Sequence, residues 1–474
     1  MKSTALRLPA LIAAASLAAC ASAPSEPTSP PPAEWPAQWQ APLPHEGQLT
    51  VMSEWWRQFN DPLLVDLIGA AQAVSPTVAS AASRIEQARA TRVAAGAALL
   101  PSLDADASAV RGKQDFITGM ATTYSAGVQA SWELDLFGAR RAARDAAQAR
   151  VDGAQVAWHD ARVAVAAEVA TSYTSLRACE AQVEQQQIDA RSRGETARLT
   201  ELSRQAGFEA PASAALARAS AAQGNSLLTD RRAQCDLLVK GLVALTGVAE
   251  PDLRTRLEAG RNGVPQPAQL AIASVPAQAL AQRPDLLGAE RDWVAAAADV
   301  SQARAARLPR ISLAGSVSAA RFESTFGNQD GTLWAVGPVT ISLPIFDGGT
   351  RRANVDAAQA RYVEAGALYR GKLRTAVREV EEALVALRST AERSTDAQIA
   401  TEGFATSFKA TEARFKGGLA SLFELEDARR SALQAQISLI DLQRERCAAW
   451  ISLYRALGGG WSDTDARLAQ QQQR

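Results

Sequence analysis

The side chains with the sharpest chemistry in this sequence are four cysteines and two histidines. Cys20 follows Leu17-Ala18-Ala19, at the end of a stretch in which Lys2 and Arg7 precede an apolar run, Leu8 to Leu17. Charge, apolar run and small residues make a secretory signal. A cysteine directly after the small residues is similar to the bacterial lipobox, where the thiol is lipidated and becomes the first residue of the mature chain. The alternative is an ordinary signal cleaved nearby, with Cys20 incidental. No aspartate follows Cys20, so the pattern that retains lipoproteins at the inner membrane is missing, which favours the outer membrane. Export takes Cys179, Cys235 and Cys447 into an oxidising compartment. Cys179 and Cys235 lie 28 residues on either side of Gly207 (207 − 179 = 235 − 207 = 28). If Gly207 sits in the turn of a helical hairpin, the two thiols face each other and a disulfide is expected; the alternative is two buried thiols. Cys447 has no partner in its own half. Neither the cysteine spacing nor His45 and His159 suggests a metal site. There is no nucleophile–base constellation and no phosphate loop. The acidic pair Glu381-Glu382 falls in a helical region where charged faces are routine, so an enzyme is not expected. With 50 basic and 50 acidic residues the net charge is zero, which gives no reason to expect nucleic acid as a partner.

The elements around these residues come in duplicate. Val128 to Arg150 reads VQASWELDLFGARRAARDAAQAR, and Val339 to Arg361 reads VTISLPIFDGGTRRANVDAAQAR. Each begins as an alternating strand and runs into a long helical pattern. Ala147 to Arg150 matches Ala358 to Arg361, an offset of 361 − 150 = 211 that persists from Gly207/Gly418 to Gly247/Gly458. Upstream, Leu100-Pro101 pairs with Leu308-Pro309, an offset of 208. Two long copies make one body from two similar halves rather than a solenoid.

Within the first copy, Leu103, Ala105, Ala107 and Ala109 alternate with Asp104, Asp106 and Ser108. After a polar connection (Gly112 to Thr123), Tyr124, Ala126, Val128, Ala130, Trp132 and Leu134 share one face and Ser125, Gly127, Gln129, Ser131, Glu133 and Asp135 the other. Strands are expected over ~102–111 and ~123–135, and in the second copy over ~310–320 and ~333–345. One apolar and one polar face, at about 10 residues per strand, suits a transmembrane β-barrel hairpin; a half-buried soluble hairpin has the same period. Four strands cannot close a barrel. In lipid an open edge leaves backbone groups unpaired at several kcal/mol each, so strands in a membrane would require several chains to share one barrel.

The helical patterns are long. Ala139 to about Gln205 is roughly 67 residues, or about 100 Å, and Thr350 to about Lys416 is similar. Leu373, Val377, Val380, Leu384 and Leu387 follow a 4, 3, 4, 3 spacing, a coiled-coil seam; Val169, Tyr173 and Leu176 match it in the first copy. Glycine-containing turns at Gln205–Ser213 and Lys416–Ser421 return each helix, to Thr246 and Leu457. Such helices make a tube or rod, not a globule. Ala21 to Gly47 reads as a flexible tether, on which Trp35 and Trp39 are candidate surface anchors. Asn60 or Asp61 caps a helix with Pro62 in its first turn, and Ala73 to Leu99 continues helical. Pro251 to Ala279 reads as an irregular link, and the chain after Trp461 as a polar tail.

The lipobox, SEWWRQFNDPLLVDLI from Ser53, QRPDLLGAERDW at Gln282 to Trp293, LPIFDGGTRRANV and LYRALGGGW at Leu453 to Trp461 occur in this order. Together they resemble the outer membrane factors, the TolC-like proteins, in particular the lipidated, NodT-type branch. The resemblance covers essentially the whole mature chain. It implies a homotrimer whose strands, four from each chain, form one barrel in the outer membrane and whose long helices form a tunnel across the periplasm. It further implies an inner-membrane pump and a periplasmic adaptor as partners, passive export of small toxic compounds, no cofactor other than covalent lipid on Cys20, and no catalysis. In that family an apolar residue and an aspartate one turn apart close the periplasmic end. The matching positions are Phe423 and Asp427, with phenylalanine where leucine is expected. Three copies would set a hydrophobic constriction and a ring of negative charge around an axis. The alternative packs Phe423 in the coil and pairs Asp427 with Arg429 or Arg430. Gly207, Gly417 and Gly418 would present the two tips to the adaptor.

The expected fold class is therefore a mixed α/β membrane protein with internal duplication. The expected organisation is a signal over 1–19, lipidated Cys20 and tether over 20–50, a first repeat over 51–250 (helical hairpin ~139–246), a link over 251–279, a second repeat over 280–460 (hairpin ~350–457) and a tail over 461–474. Alternative functions are the outer component of a type I-like protein secretion system and a non-channel coiled-coil lipoprotein scaffold. The scaffold reading has no use for strands that alternate tyrosine, tryptophan and aliphatics with polar residues.

Overall fold

A computed structural model of the chain describes residues 52–113, 120–259, 263–267, 280, 283–324 and 327–460. The signal, Cys20, the tether with Trp35 and Trp39, and the tail from Trp461 lie outside the described residues. The chain divides into two compact units.

One unit takes residues 88–151 and 290–369. Its centre is an antiparallel sheet of four strands in the order β1 (Ser102–Lys113), β2 (Met120–Leu134), β3 (Arg310–Ser324) and β4 (Gly327–Ser342). The register pairs Val128 with Ala105 on one side and with Val317 on the other, so the apolar series of neighbouring strands fall on one face. On the other face Ser102 and Ser131 share a 2.9 Å hydroxyl contact and Ser108 and Ser125 one of 2.8 Å. The ladder of β3 and β4 slips between Leu313 and Gly315, opposite Gly337-Pro338, where proline has no N–H to donate. The strands outrun the expected ones at their loop ends. Met120–Thr123, Arg321–Ser324 and Gly327–Thr332 are paired, because polar side chains on an exposed ladder do not stop pairing. At the other end β4 stops at Ser342, so Leu343 and Ile345 are not strand residues; Pro344 removes a donor there.

Each strand pair feeds a 67-residue helix, α3 (Ala139–Gln205) and α7 (Thr350–Lys416), by way of an aspartate. Two shorter helices, α1 (Pro62–Val74) and α2 (Pro76–Ala97), precede them in the chain. Asp135 accepts the N–H groups of Arg140 and Arg141 at 3.0 and 2.9 Å, and Asp347 those of Gly349 and Arg351 at 3.0 and 3.2 Å. These bonds satisfy donors that the first turn leaves orphaned. On α6 (Pro284–Ala305) Trp293 packs between Tyr362 and Tyr369 of α7, over Gly366, where a Cβ would lie 2.9 Å from the indole.

The other unit takes the described residues within 52–87, 152–289 and 370–460. Its helices include α4 (Pro211–Thr246), α5 (Glu250–Ala259) and α8 (Leu422–Ala456). Asp61, not Asn60, caps α1, accepting from Leu63 and Leu64, and also accepts the Tyr173 hydroxyl at 2.5 Å. Most of the expected seam is buried: Val169, Tyr173 and Leu176 in α3, and Val380, Leu384 and Leu387 in α7, join Trp55, Trp450 and Tyr454 in one core, while Leu373 and Val377 are partly buried against it. The expected irregular link is corrected at its start. Residues 250–259 are helical because Pro251 is tolerated in a first turn and Leu253 and Leu257, four apart, both bury. Arg177 donates to the Leu257 carbonyl at 3.0 Å, closing that end of α5.

Candidate functional site

The two long hairpins turn in the same way. At the end of α3 the N–H of Phe208 reaches back to the Ser203 carbonyl (2.9 Å), and at the end of α7 that of Leu419 to Arg414 (2.7 Å). Both are six-to-one closures with a left-handed residue, Gly207 at φ 80° and Gly418 at φ 71°. Of the expected tip glycines Gly417 is different: its N–H still bonds the Ala413 carbonyl, and it is not among the positive-φ glycines. Phe208 and Leu419 stand at equivalent positions (419 − 208 = 211), and both are exposed at the tips. The return helices start differently. Ser421 and Glu424 form a reciprocal capping box on α8, whereas Ala210 makes no side-chain cap for α4, which begins at Pro211.

Phe423 and Asp427 occupy the first two turns of α8. Phe423 is 73% exposed, so it does not pack within the coil of its own chain. Asp427 lies 3.8 Å from Arg430, with both side chains well exposed; such a pair contributes little. Phe423 and Asp427 therefore share an outward face that the described residues leave uncovered. Arg429 is not the partner of Asp427. It is buried on the opposite face, bound to Glu426 and to the hydroxyls of Ser192 (3.1 Å) and Thr196 (2.8 Å). Glu426 also accepts from Ser220 at 2.7 Å and from Arg193 at 3.2 Å, and Arg193 holds Asp189 at 2.7 Å. Burial pushes the Asp189 carboxyl above its ordinary value despite Arg193, and pushes the Arg429 guanidinium below its own. This layer joins α3, α4 and α8. The sequence shows its residues as charges at helical spacing, indistinguishable from a solvated face.

Cys179 and Cys235 are bonded, with Cα atoms 5.7 Å apart, and join α3 to α4. Cys447 is a buried thiol that donates to the Pro265 carbonyl at 2.8 Å; burial raises its pKa to about 12. Cys20 lies outside the described residues. Among the described residues no group of three or more His, Cys, Asp or Glu side chains has metal-binding geometry. Nor is any single described helix long and apolar enough to cross a membrane, a statement that does not bear on strands.

The family model described as "Outer membrane efflux protein" matches residues 67–248 and 275–459. The chain is 31% identical over 477 residues to the outer membrane protein OprJ of Pseudomonas aeruginosa, covering 98% of each. It is 31% identical over 446 residues to the pyoverdine export outer membrane protein OpmQ of Pseudomonas putida (89% of this chain, 91% of the relative), and 29% identical over 419 residues to nodulation protein T of Rhizobium leguminosarum (87% and 85%). Among solved structures, the outer-membrane channel OprN superposes with a TM-score of 0.80 at 26% identity, covering 92% of this chain and 99% of that one. The Campylobacter jejuni CmeC outer membrane channel does so with a TM-score of 0.85 over 94% and 97%; at 23% identity that likeness concerns the fold alone.

Proposed function

The chain belongs to the outer membrane efflux protein family, and from that premise we propose that it is the outer-membrane channel of a three-component efflux system. It gives passive passage to small molecules, delivered by a periplasmic adaptor and an inner-membrane pump. The observation that carries this reading is the sheet. Its two faces differ in polarity across all four strands, and among the described residues no strand pairs the outer edges of β1 and β4. In hydrocarbon such edges are tolerated only if another copy pairs them, which supports one barrel shared between copies; in this proposal the assembly is a homotrimer. The long helices α3, α4, α7 and α8 then line the periplasmic part of the passage. Lipid on Cys20 anchors the mature N-terminus, and Phe423 and Asp427 form the periplasmic gate. Gly207 and Gly418 shape the tips offered to the adaptor.

The test is the mass of protein extracted by detergent from outer-membrane fractions, by light scattering with the detergent subtracted. A trimer carrying lipid on its N-terminal cysteine is expected. A monomer held only by its lipid would mean that the sheet is not in the bilayer, and a lipoprotein scaffold would replace the channel.

A further inference from the structure

The disulfide sits at a change in packing. On one side of it the main core takes Tyr173 and Leu176 from α3 and Val239 and Leu242 from α4. From the bond towards the Gly207 tip α3 runs 26 residues to Gln205 (205 − 179 = 26) and α4 24 residues from Pro211 (235 − 211 = 24), roughly 36–39 Å at about 1.5 Å per residue. In that stretch the buried residues of α3 include Gln182, Gln186, Asp189, Thr196 and Thr200, and those of α4 are Ala214, Ala217, Ser220, Gly224 and a single large apolar residue, Leu228. Small and polar side chains bury little apolar area, so this contact is weakly held. Two side-chain bonds across it are polar: Arg193 to Ser220 at 2.7 Å and Arg232 to Gln187 at 3.1 Å.

The second hairpin is built differently. Its own tip half supplies Phe408, Phe415, Leu422 and Leu425 to an apolar cluster, to which the first hairpin adds only Ala197 and Ala217. At the positions equivalent to the two cysteines (179 + 211 = 390; 235 + 211 = 446) it has Thr390 and Arg446. Thr390 donates to the Leu387 carbonyl of its own helix. One hairpin is held near its tip by its own large apolar side chains; the other is held there by the polar layer of Arg193, Ser220 and Glu426 and two alanines, and by a covalent bond where its large apolar packing ends.

We propose that the Cys179–Cys235 bond makes the order of the tip half of the first hairpin dependent on oxidation, a device that the second hairpin lacks. Forming the bond removes two protons and two electrons from the thiols. The acceptor is a disulfide-donating thiol oxidoreductase of the export compartment, whose own disulfide is reduced to a dithiol. The proposal concerns the hairpin itself and holds whatever passes through the protein. Its test is limited trypsin digestion of the full-length, detergent-purified protein, oxidised or reduced with dithiothreitol and alkylated, with cleavage sites read by peptide mass. Reduction is expected to speed cleavage at Arg204 and Arg218 by on the order of tenfold, while cleavage at Arg414 and Lys416 of the second hairpin stays the same. Cys179→Ser/Cys235→Ser should match the reduced protein with or without reductant, and Cys447→Ser should match the oxidised one. Equal cleavage at Arg204 and Arg218 in both states would overturn the proposal. So would equal acceleration at both tips, since the bond would then hold the whole fold.

Discussion

Phe423 and Asp427 are exposed in their own chain, and that exposure decides what their removal should do. Neither side chain holds the fold, so Phe423→Ala/Asp427→Ala should leave stability within about 0.5 kcal/mol of the parent. It should raise single-channel conductance in planar bilayers several-fold; unchanged conductance would remove both residues from the gate. Asp135 and Asp347 act through charge. Burial raises the Asp135 carboxyl, but the N–H groups of Arg140 and Arg141 outweigh it and hold it below its ordinary value of 3.8. The Arg351 N–H is the main cause of the same direction at Asp347. A depressed carboxylate contributes stability that is complete above its unfolded value and lost as pH falls through its folded one. Melting of helix signal in detergent should therefore turn acid-sensitive below about pH 4, and Asp135→Asn/Asp347→Asn should lose that part of the sensitivity. An unchanged acid limb would mean that other carboxylates control it. The residue scale is also where the sequence was least legible. Only the family resemblance marks Phe423 and Asp427, since their spacing alone fits a solvated coil equally well. Arg429 and Glu426 carry the same charges as Arg430 and Asp427, yet their neighbours in α3 and α4, more than two hundred residues earlier, bury them.

Elements were far more legible, because periodicity is local and each appears twice. The two long helices are both 67 residues, with starts and ends 211 apart (350 − 139 = 416 − 205 = 211). The turns fall where glycine supplies a left-handed residue. Sequence and structure part where a local signal has two meanings. Pro251 ends a helix when interior but opens one in a first turn, and only the burial of Leu253 and Leu257 decides between them. Polar residues at strand ends read as loop, although an exposed ladder pairs regardless of side-chain polarity. One strand position is decided by backbone proximity. A Cβ on Gly127 would lie 2.6 Å from the Cβ of Ser318 and 2.9 Å from the Val317 carbonyl oxygen. Gly127→Val should therefore push β2 and β3 apart where the two repeats join. The expected outcome is less assembled protein in outer-membrane fractions and a lower temperature for loss of β signal. Gly112→Val, with nothing within 4 Å of its Cβ position, is the control that should assemble normally. Equal yields from both variants would mean that the sheet relaxes around the added methyl groups.

The sheet also governs the whole molecule. Alternation predicted two faces but not what covers them, since a soluble half-buried hairpin and a lipid-facing one share a period of two. The structure narrows this. Val336 (82% exposed), Trp334 (75%) and Leu103 (73%) are on the apolar face, and none of the described elements shields them. Exposed apolar area on this scale marks an interaction surface. If that surface is lipid, neighbouring positions on one strand must alternate in their access to water, and only in the assembled, membrane-inserted protein. Single cysteines at Ala105, Asp106, Ala107 and Ser108 of β1, placed in a Cys447→Ser background with the disulfide intact, test this directly. In vesicles a membrane-impermeant maleimide should label Asp106→Cys and Ser108→Cys quickly, from the water-filled lumen. Ala105→Cys and Ala107→Cys should resist it and react instead with a lipid-soluble maleimide. In unfolded protein all four should react alike. The pattern separates the candidate assemblies. A scaffold outside the bilayer would show rapid labelling at all four positions, because both faces of its exposed sheet meet water. A sheet covered by protein rather than lipid would protect Ala105→Cys and Ala107→Cys from both reagents. Alternation reporting lipid on one face and water on the other requires a closed barrel, and four strands close one only by sharing it with other copies.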